Sequence, residues 1–186
     1  MTPNTRNRKI VKWGSVAVSL LLVAWIVNGL LESRPVQDLA RFAEMRRLVG
    51  GRVGTDAINV IPQAIPTGSK DARMWARLSR RGEGTEMVLR CQMSIEDASR
   101  IAVTSRAQSA ALDAPKVYPD TYCKRGLEAV MPGCESGKNL PSSVQAFFLH
   151  HHSLSAGTDE VWSGALVDET TGTVVWWTQR WYVPYN

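Results

Sequence analysis

The feature that most constrains this chain is the stretch from Trp13 to Leu31, WGSVAVSLLLVAWIVNGLL, which carries no charged side chain. A helix of about 19 residues at roughly 1.5 Å per residue matches the hydrocarbon thickness of a bilayer, so a transmembrane helix is predicted here. Asn28 is the one strongly polar side chain in the run and lies near its far end. Arg6, Arg8, Lys9 and Lys12 precede the run, no acid occurs before Glu32, and the following flank holds Glu32 and Arg34. The positive-inside rule then places the N-terminus in the cytoplasm and the C-terminal part in the periplasm of a bacterial inner-membrane protein. Trp13 and Trp25 suit interface anchors, and Trp25 suits a helix–helix contact equally. A cleaved signal peptide shares the basic start and apolar run, but this run exceeds the usual h-region and no clean Ala-x-Ala follows it. A soluble core helix would have to bury a segment that is apolar all round. No cysteine precedes Cys91, which excludes a lipoprotein anchor at this position.

The length of 186 residues suits one ordinary domain plus an appendage. The net charge of +5 does not indicate nucleic acid, because the four basic residues before Trp13 account for all but one of those charges and leave 18 Lys and Arg against 17 Asp and Glu. A nucleic-acid binder concentrates its basic excess on the folded domain. The organisation expected is a cytoplasmic basic arm over 1–12, the transmembrane helix over 13–31, a juxtamembrane helix and lead-in over 32–54, and a periplasmic domain over 55–186.

Pro35 is well placed to open a helix with Val36, Leu39, Ala40 and Ala43 at helical spacing and a second stripe of Phe42, Met45 and Val49, stopped by Gly50 and Gly51. Residues 57–61 form a short β candidate closed by Pro62 and Pro66. Ser69 resembles the N-cap of a helix over 70–81, with Ala72, Trp75, Ala76 and Ser79 on one face and Gly82 as the stop. Residues 85–93 alternate, with Met87, Leu89, Cys91 and Met93 on one side and Glu86, Arg90 and Gln92 on the other, the mark of a strand. Residues 94–112 admit a helix capped by Ser94 and Asp97 or, over 100–106, a polar strand; the capping pair favours helix. Residues 114–120 read as a loop, followed by a short helix that Asp120 could cap and that ends before Pro132, then a second loop over 133–141.

Three strands are predicted at 144–154, 160–167 and 173–183, the last two joined by the Asp168–Gly172 hairpin turn. The last strand is apolar on both sides, with Val175, Trp177 and Trp181 on one and Val174, Trp176 and Tyr182 on the other, so cover on both faces is expected. The fold class that follows is α+β: one N-terminal transmembrane helix, then a small domain with a mixed or mainly antiparallel sheet packed with helices.

Few residues suggest chemistry. His150 and His152 would share one face of a strand, with His151 opposite, so at most two could join a metal site unaided. Asp159 and Glu160 are possible further ligands by sequence proximity alone, and a polar strand edge explains the histidines equally. Asp168 and Glu169 are adjacent carboxylates, but in a hairpin turn they point apart and serve turn chemistry. Ser142 and Ser143 lack a nucleophile-elbow context, and the glycines at 50, 51 and 54 follow a helix where a phosphate loop follows a strand. No catalytic residue and no cofactor site is indicated. Arg73, Arg77, Arg80 and Arg81 give the expected helix a basic face, either solvated or suited to acidic partners or lipid headgroups. Four of the seven tryptophans, Trp162, Trp176, Trp177 and Trp181, fall in the last strands; they fit either core filling or interface anchoring. Cys123 and Cys134 bracket a short Gly- and Pro-containing loop and are the disulfide pairing favoured in an oxidising compartment, with Cys91 a buried thiol. The absence of any C-x-x-C pair makes a zinc site poor.

The segment Ala165-Leu166-Val167-Asp168-Glu169-Thr170-Thr171-Gly172-Thr173-Val174-Val175-Trp176 resembles a hairpin of periplasmic α/β domains of the curli-secretion lipoprotein and penicillin-binding-protein-activator type. Ile58-Asn59-Val60-Ile61-Pro62 is similar to the early strand of such domains. The likeness covers about a tenth of the chain, and D-x-x-T-G suits any tight hairpin. Those proteins are anchored through a lipidated cysteine, which this chain does not have before Cys91. The resemblance implies a non-enzymatic role in envelope assembly and assigns no functional residue. The function expected is thus a membrane-anchored accessory or assembly subunit that binds inner-membrane or envelope proteins, with a periplasmic metal-binding protein or metal-dependent enzyme centred on His150 and His152 as the alternative.

Overall fold

The computed structural model describes residues 16, 18–24, 34–79, 84–112, 124–131, 140–155 and 159–182. The chain divides into two compact units, Met1–Arg34 and Pro35–Asn186. In the first, residues 16 and 18–24 are helical and their side chains exposed. The expected membrane-crossing helix is corrected here: among the described residues no helix is long and apolar enough to cross a membrane. The described stretch 18–24 rises about 10 Å, a third of the hydrocarbon thickness.

The second unit is an α+β fold on a five-stranded sheet. Its strands are β1 (Lys70–Arg77), β2 (Thr85–Gln92), β3 (Val144–Ser155), β4 (Asp159–Asp168) and β5 (Thr173–Tyr182). They lie in the order β1-β2-β5-β4-β3, and every pairing is antiparallel. The helices are α1 (Phe42–Val53), preceded by a 3-10 turn at Leu39–Arg41, then α2 (Thr55–Ile58), α3 (Ile95–Ala111) and α4 (Lys124–Val130).

Residues 35–54 are integral to this unit instead of leading into it. Phe42, Met45, Val49 and Val53 recur at helical spacing and all are buried on the sheet. The helix does not stop at Gly50 and Gly51. It runs on to Gly54, whose φ of 95° is the left-handed backbone that ends it. Gly50 packs closely on Ile58: a Cβ there would sit 3.1 Å from Ile58 Cγ2, so that side chain would have to give by a few tenths of an ångström.

Two predicted elements exchange identity. Residues 57–61 are not a strand: they form the end of α2 and a turn, and Arg46 on α1 donates to the carbonyls of Ile58 (3.3 Å) and Ile61 (3.2 Å). Those carbonyls are therefore satisfied without a sheet partner. The helix expected over 70–81 is replaced at Lys70–Arg77 by strand β1. Met74 and Ala76 enter one core while Trp75 enters the other, and only the two-residue alternation of a strand sends neighbours to opposite faces. The stripe of Ala72, Trp75 and Ala76 fits both periods, and pairing with β2 decides between them.

The remaining elements follow the sequence pattern. Ser94 caps α3 by accepting from Asp97 N at 3.1 Å and donates to its carboxylate at 2.6 Å. Small residues Ala98, Ala102 and Ser105 let α3 lie close on the sheet. The β4–β5 turn closes through Gly172 at φ 71°. One core, between the sheet and α1, α2 and α3, contains Met87, Leu89, Cys91, Val174 and Trp176. The other, on the face that α4 covers at β1 and β2, contains Trp75, Val88, Trp162, Val175 and Trp177. Burial on both faces of β5 holds over Val174–Trp177, where Val174 and Trp176 enter one core and Val175 and Trp177 the other, whereas Trp181 is exposed.

Candidate functional site

The second sheet face carries the most distinctive arrangement. Phe148 meets Trp162 and Trp177 edge-on, with ring centroids 5.7 Å away in each case. Gly164 makes room for this cluster, because a Cβ would lie 2.3 Å from the Phe147 carbonyl oxygen and 2.8 Å from Trp177 Cζ2. Trp162, Trp176 and Trp177 are thus buried core groups, 1%, 6% and 1% exposed, and Trp181 at 40% is the one of the four that reaches the surface.

Beside the aromatic cluster lies a cleft of about 560 Å³ lined by Arg73, Arg90, Leu166, Asp168 and Val175, among others. Its cationic wall comes from a direct cross-strand pair, Arg73 opposite Arg90. Both reach Asp71: Arg73 Nε donates to Oδ1 at 3.0 Å, and Arg90 Nη1 donates to Oδ2. The register slips between Lys70 and Arg73, and Asp71 takes a φ of 45°, which turns its carboxylate toward both guanidiniums. Hydrogen bonds from Arg90 first and Arg73 second hold the Asp71 carboxyl below its ordinary range. Arg77, the other cation expected to matter, faces Glu86 in the same ladder. The basic face is therefore a strand face. Arg80 and Arg81 lie outside the described residues.

At the hairpin end, Asp168 is nearly buried and accepts from Thr170 N (2.9 Å) and Thr170 Oγ1 (2.6 Å). Glu169 accepts from Ser99 Oγ and from Gln145 Nε2, each at 2.7 Å. Asp168 thus closes the turn on itself, whereas Glu169, a third exposed, ties the turn to α3 and β3.

The histidines divide across β3. A bulge between Phe148 and His150 resets the register. His150 Nε2 then lies 2.9 Å from His152 Nδ1, while His151 stacks on Trp162 at 3.8 Å. Burial first, then His152, lowers the His150 pKa, and Asp56 opposes the shift. Asp159 is engaged with Arg180 at 2.7 Å, and Glu160 accepts from Trp162 Nε1. Among the described residues no group of three or more His, Cys, Asp or Glu is placed to hold a metal. Cys91 is a buried free thiol whose pKa burial raises; Cys123 and Cys134 lie outside the described residues.

The two sheet edges differ. Val36 bridges the outer side of β1 through Val36 N to Ala76 O (2.7 Å) and Ala76 N to Val36 O (2.9 Å). The outer side of β3 pairs with no strand among the described residues, and residues 144–155 hold no Asp, Glu, Lys, Arg or Pro. Asp71, Arg90 and this edge were not singled out from the sequence. With 70–77 taken as a strand, the Asp71-x-Arg73 pair facing Arg90 would have been visible. Comparison of the chain with family models, curated proteins and solved structures finds no match.

Proposed function

We propose that this chain is a non-catalytic accessory or assembly subunit that binds other proteins of the bacterial cell envelope through its α+β domain. The observation that carries the proposal is the outer edge of β3, a 12-residue border strand without a charge or proline. Natural edge strands are blunted by such residues because unpaired N–H and C=O groups recruit another strand. A partner segment laid along Val144–Phe148 would extend the sheet, with backbone hydrogen bonds giving affinity and alternate side chains giving specificity. The envelope setting is supported by the hairpin likeness of residues 165–176.

Ala146→Lys tests this, since Ala146 is exposed on the edge strand and a lysine there restores the usual protection. The variant should retain the thermal stability of the parent yet lose proteins that co-purify after mild detergent extraction. A parent chain that migrates alone, or a variant that keeps the same partners, refutes the proposal. The closeness of His150 and His152 favours a second reading, a metal-binding domain, because nitrogens 2.9 Å apart can share one ion with little movement. Stoichiometric metal that is lost in the His150→Ala, His152→Ala double variant supports it, and a metal-free parent overturns it.

A further inference from the structure

The cleft on the second sheet face has a built polarity that strand docking does not use. Like charges directly opposite in a ladder repel, yet Arg73 and Arg90 face each other and share one carboxylate, Asp71. Asp71 holds this position in the left-handed region at φ 45°, which Asp and Asn adopt more readily than other non-glycine residues. One carboxylate against two guanidiniums leaves a surplus positive charge. Asp71 engages Nε of one fork and Nη1 of the other, and each guanidinium carries five N–H donors, so donors remain on both. Arg90 is only 18% exposed at its side chain, and a charge so withdrawn from water gains most from an ionic partner.

Beyond the arginines the cleft is lined by the apolar side chains of Leu166, Val175, Met131, Pro141 and Val144 together with Gln92, Thr171 and Thr173. Asp168 does not cancel the cationic end, because it sits on β4, two strands or about 10 Å from β2, and is occupied by Thr170. The volume of about 560 Å³ lies in the usual range of small-ligand sites. We propose that this cleft binds a carboxylate borne on an apolar group, with Arg73 and Arg90 taking the carboxylate and Leu166 and Val175 receiving the apolar part. A peptide C-terminus with apolar last residues and a short-chain organic acid share this chemistry.

The test is calorimetric titration of the full-length chain with two matched pairs of probes. One is an acetylated tetrapeptide ending in two leucines, as the free acid and as the C-terminal amide; the other is hexanoate and hexanol. At least one acid should bind, and its neutral counterpart should bind at least about tenfold more weakly. Binding by the peptide acid alone identifies a chain terminus as the source, and binding by hexanoate as well identifies a small acid. Arg73→Gln, at a half-exposed position, and Arg90→Gln should each reduce the acid to the level of its neutral counterpart while near-ultraviolet circular dichroism is unchanged. Failure of both acids to bind, equal binding of acid and neutral forms, or undiminished binding by folded Arg73→Gln protein overturns the proposal.

Discussion

Replacing Gly164 by alanine isolates the packing that shapes the second sheet face. The new Cβ would lie 2.3 Å from the Phe147 carbonyl oxygen and 2.8 and 2.9 Å from Trp177 ring atoms. Ordinary carbon–oxygen contacts begin near about 3.3 Å, so β3 and β4 must separate locally by about 1 Å or Trp177 must leave its position. Trp177 cannot move freely, being 1% exposed and held edge-on by Phe148. Overpacking of this kind destabilises by about 1–3 kcal/mol, and loss of glycine's unfolded-state freedom returns about 0.5–1 kcal/mol. The net expectation is a destabilisation of about 1 kcal/mol, or a Tm lower by roughly 2–4 °C for a domain of this size. Gly51→Ala is the control, because nothing lies within 4 Å of its Cβ and the site is helical; it should stabilise by up to about 1 kcal/mol. Urea unfolding followed by tryptophan fluorescence measures both. A Gly164→Ala protein as stable as its parent, or as stable as Gly51→Ala, would refute the packing described for Gly164, Phe147 and Trp177.

Asp71→Asn keeps a residue that tolerates positive φ and removes the charge that both arginines share. The Asp71 pKa is lowered in the folded state, so its contribution is present above the unfolded carboxylate pKa and lost as pH falls through the folded value. The stability gap between parent and Asp71→Asn should therefore exist at neutral pH and close in acid, as urea titrations across pH would record; a gap independent of pH contradicts the ion pairing. Ser94→Ala removes the α3 cap and should cost about 1 kcal/mol, with an unchanged unfolding midpoint as the contrary result. Cys91, buried with a raised pKa, should resist alkylation in the folded chain and react on unfolding; mass mapping that finds it modified at once under native conditions contradicts its placement.

The sequence was most informative where one period dominated. β2 alternates without competition, α3 opens on a capping pair, and β4 and β5 are joined by a turn whose glycine has no substitute. Legibility failed where two periods coexist. Residues 70–77 carry Ala72, Trp75 and Ala76 at a spacing that suits a helix, and long-range pairing with β2 and the Val36 bridge overrides it. Residues 57–61 are apolar enough for a strand, but the reach of Arg46 from α1 to the carbonyls of Ile58 and Ile61 is a tertiary fact. Gly50 and Gly51 look like a stop because their packing partner, Ile58 for Gly50, is invisible locally. The cleft inherits the first of these failures, since Arg73 and Arg90 come together only once β1 is a strand. The histidines were legible to the extent that alternation sets two on one face; the bulge that places those two rings in contact was not.

The proposed docking rests on the outer edge of β3, which pairs with no strand among the described residues. Its most direct test places a photo-crosslinking amino acid at Ala146 on that edge and, separately, at Val103, which is 61% exposed on α3, in full-length chain expressed in bacterial cells. Strand docking should give a discrete protein adduct from position 146, absent from position 103, whose protein component also co-purifies with the unmodified chain and is lost with Ala146→Lys. No adduct at 146, or the same adducts from both positions, would contradict it.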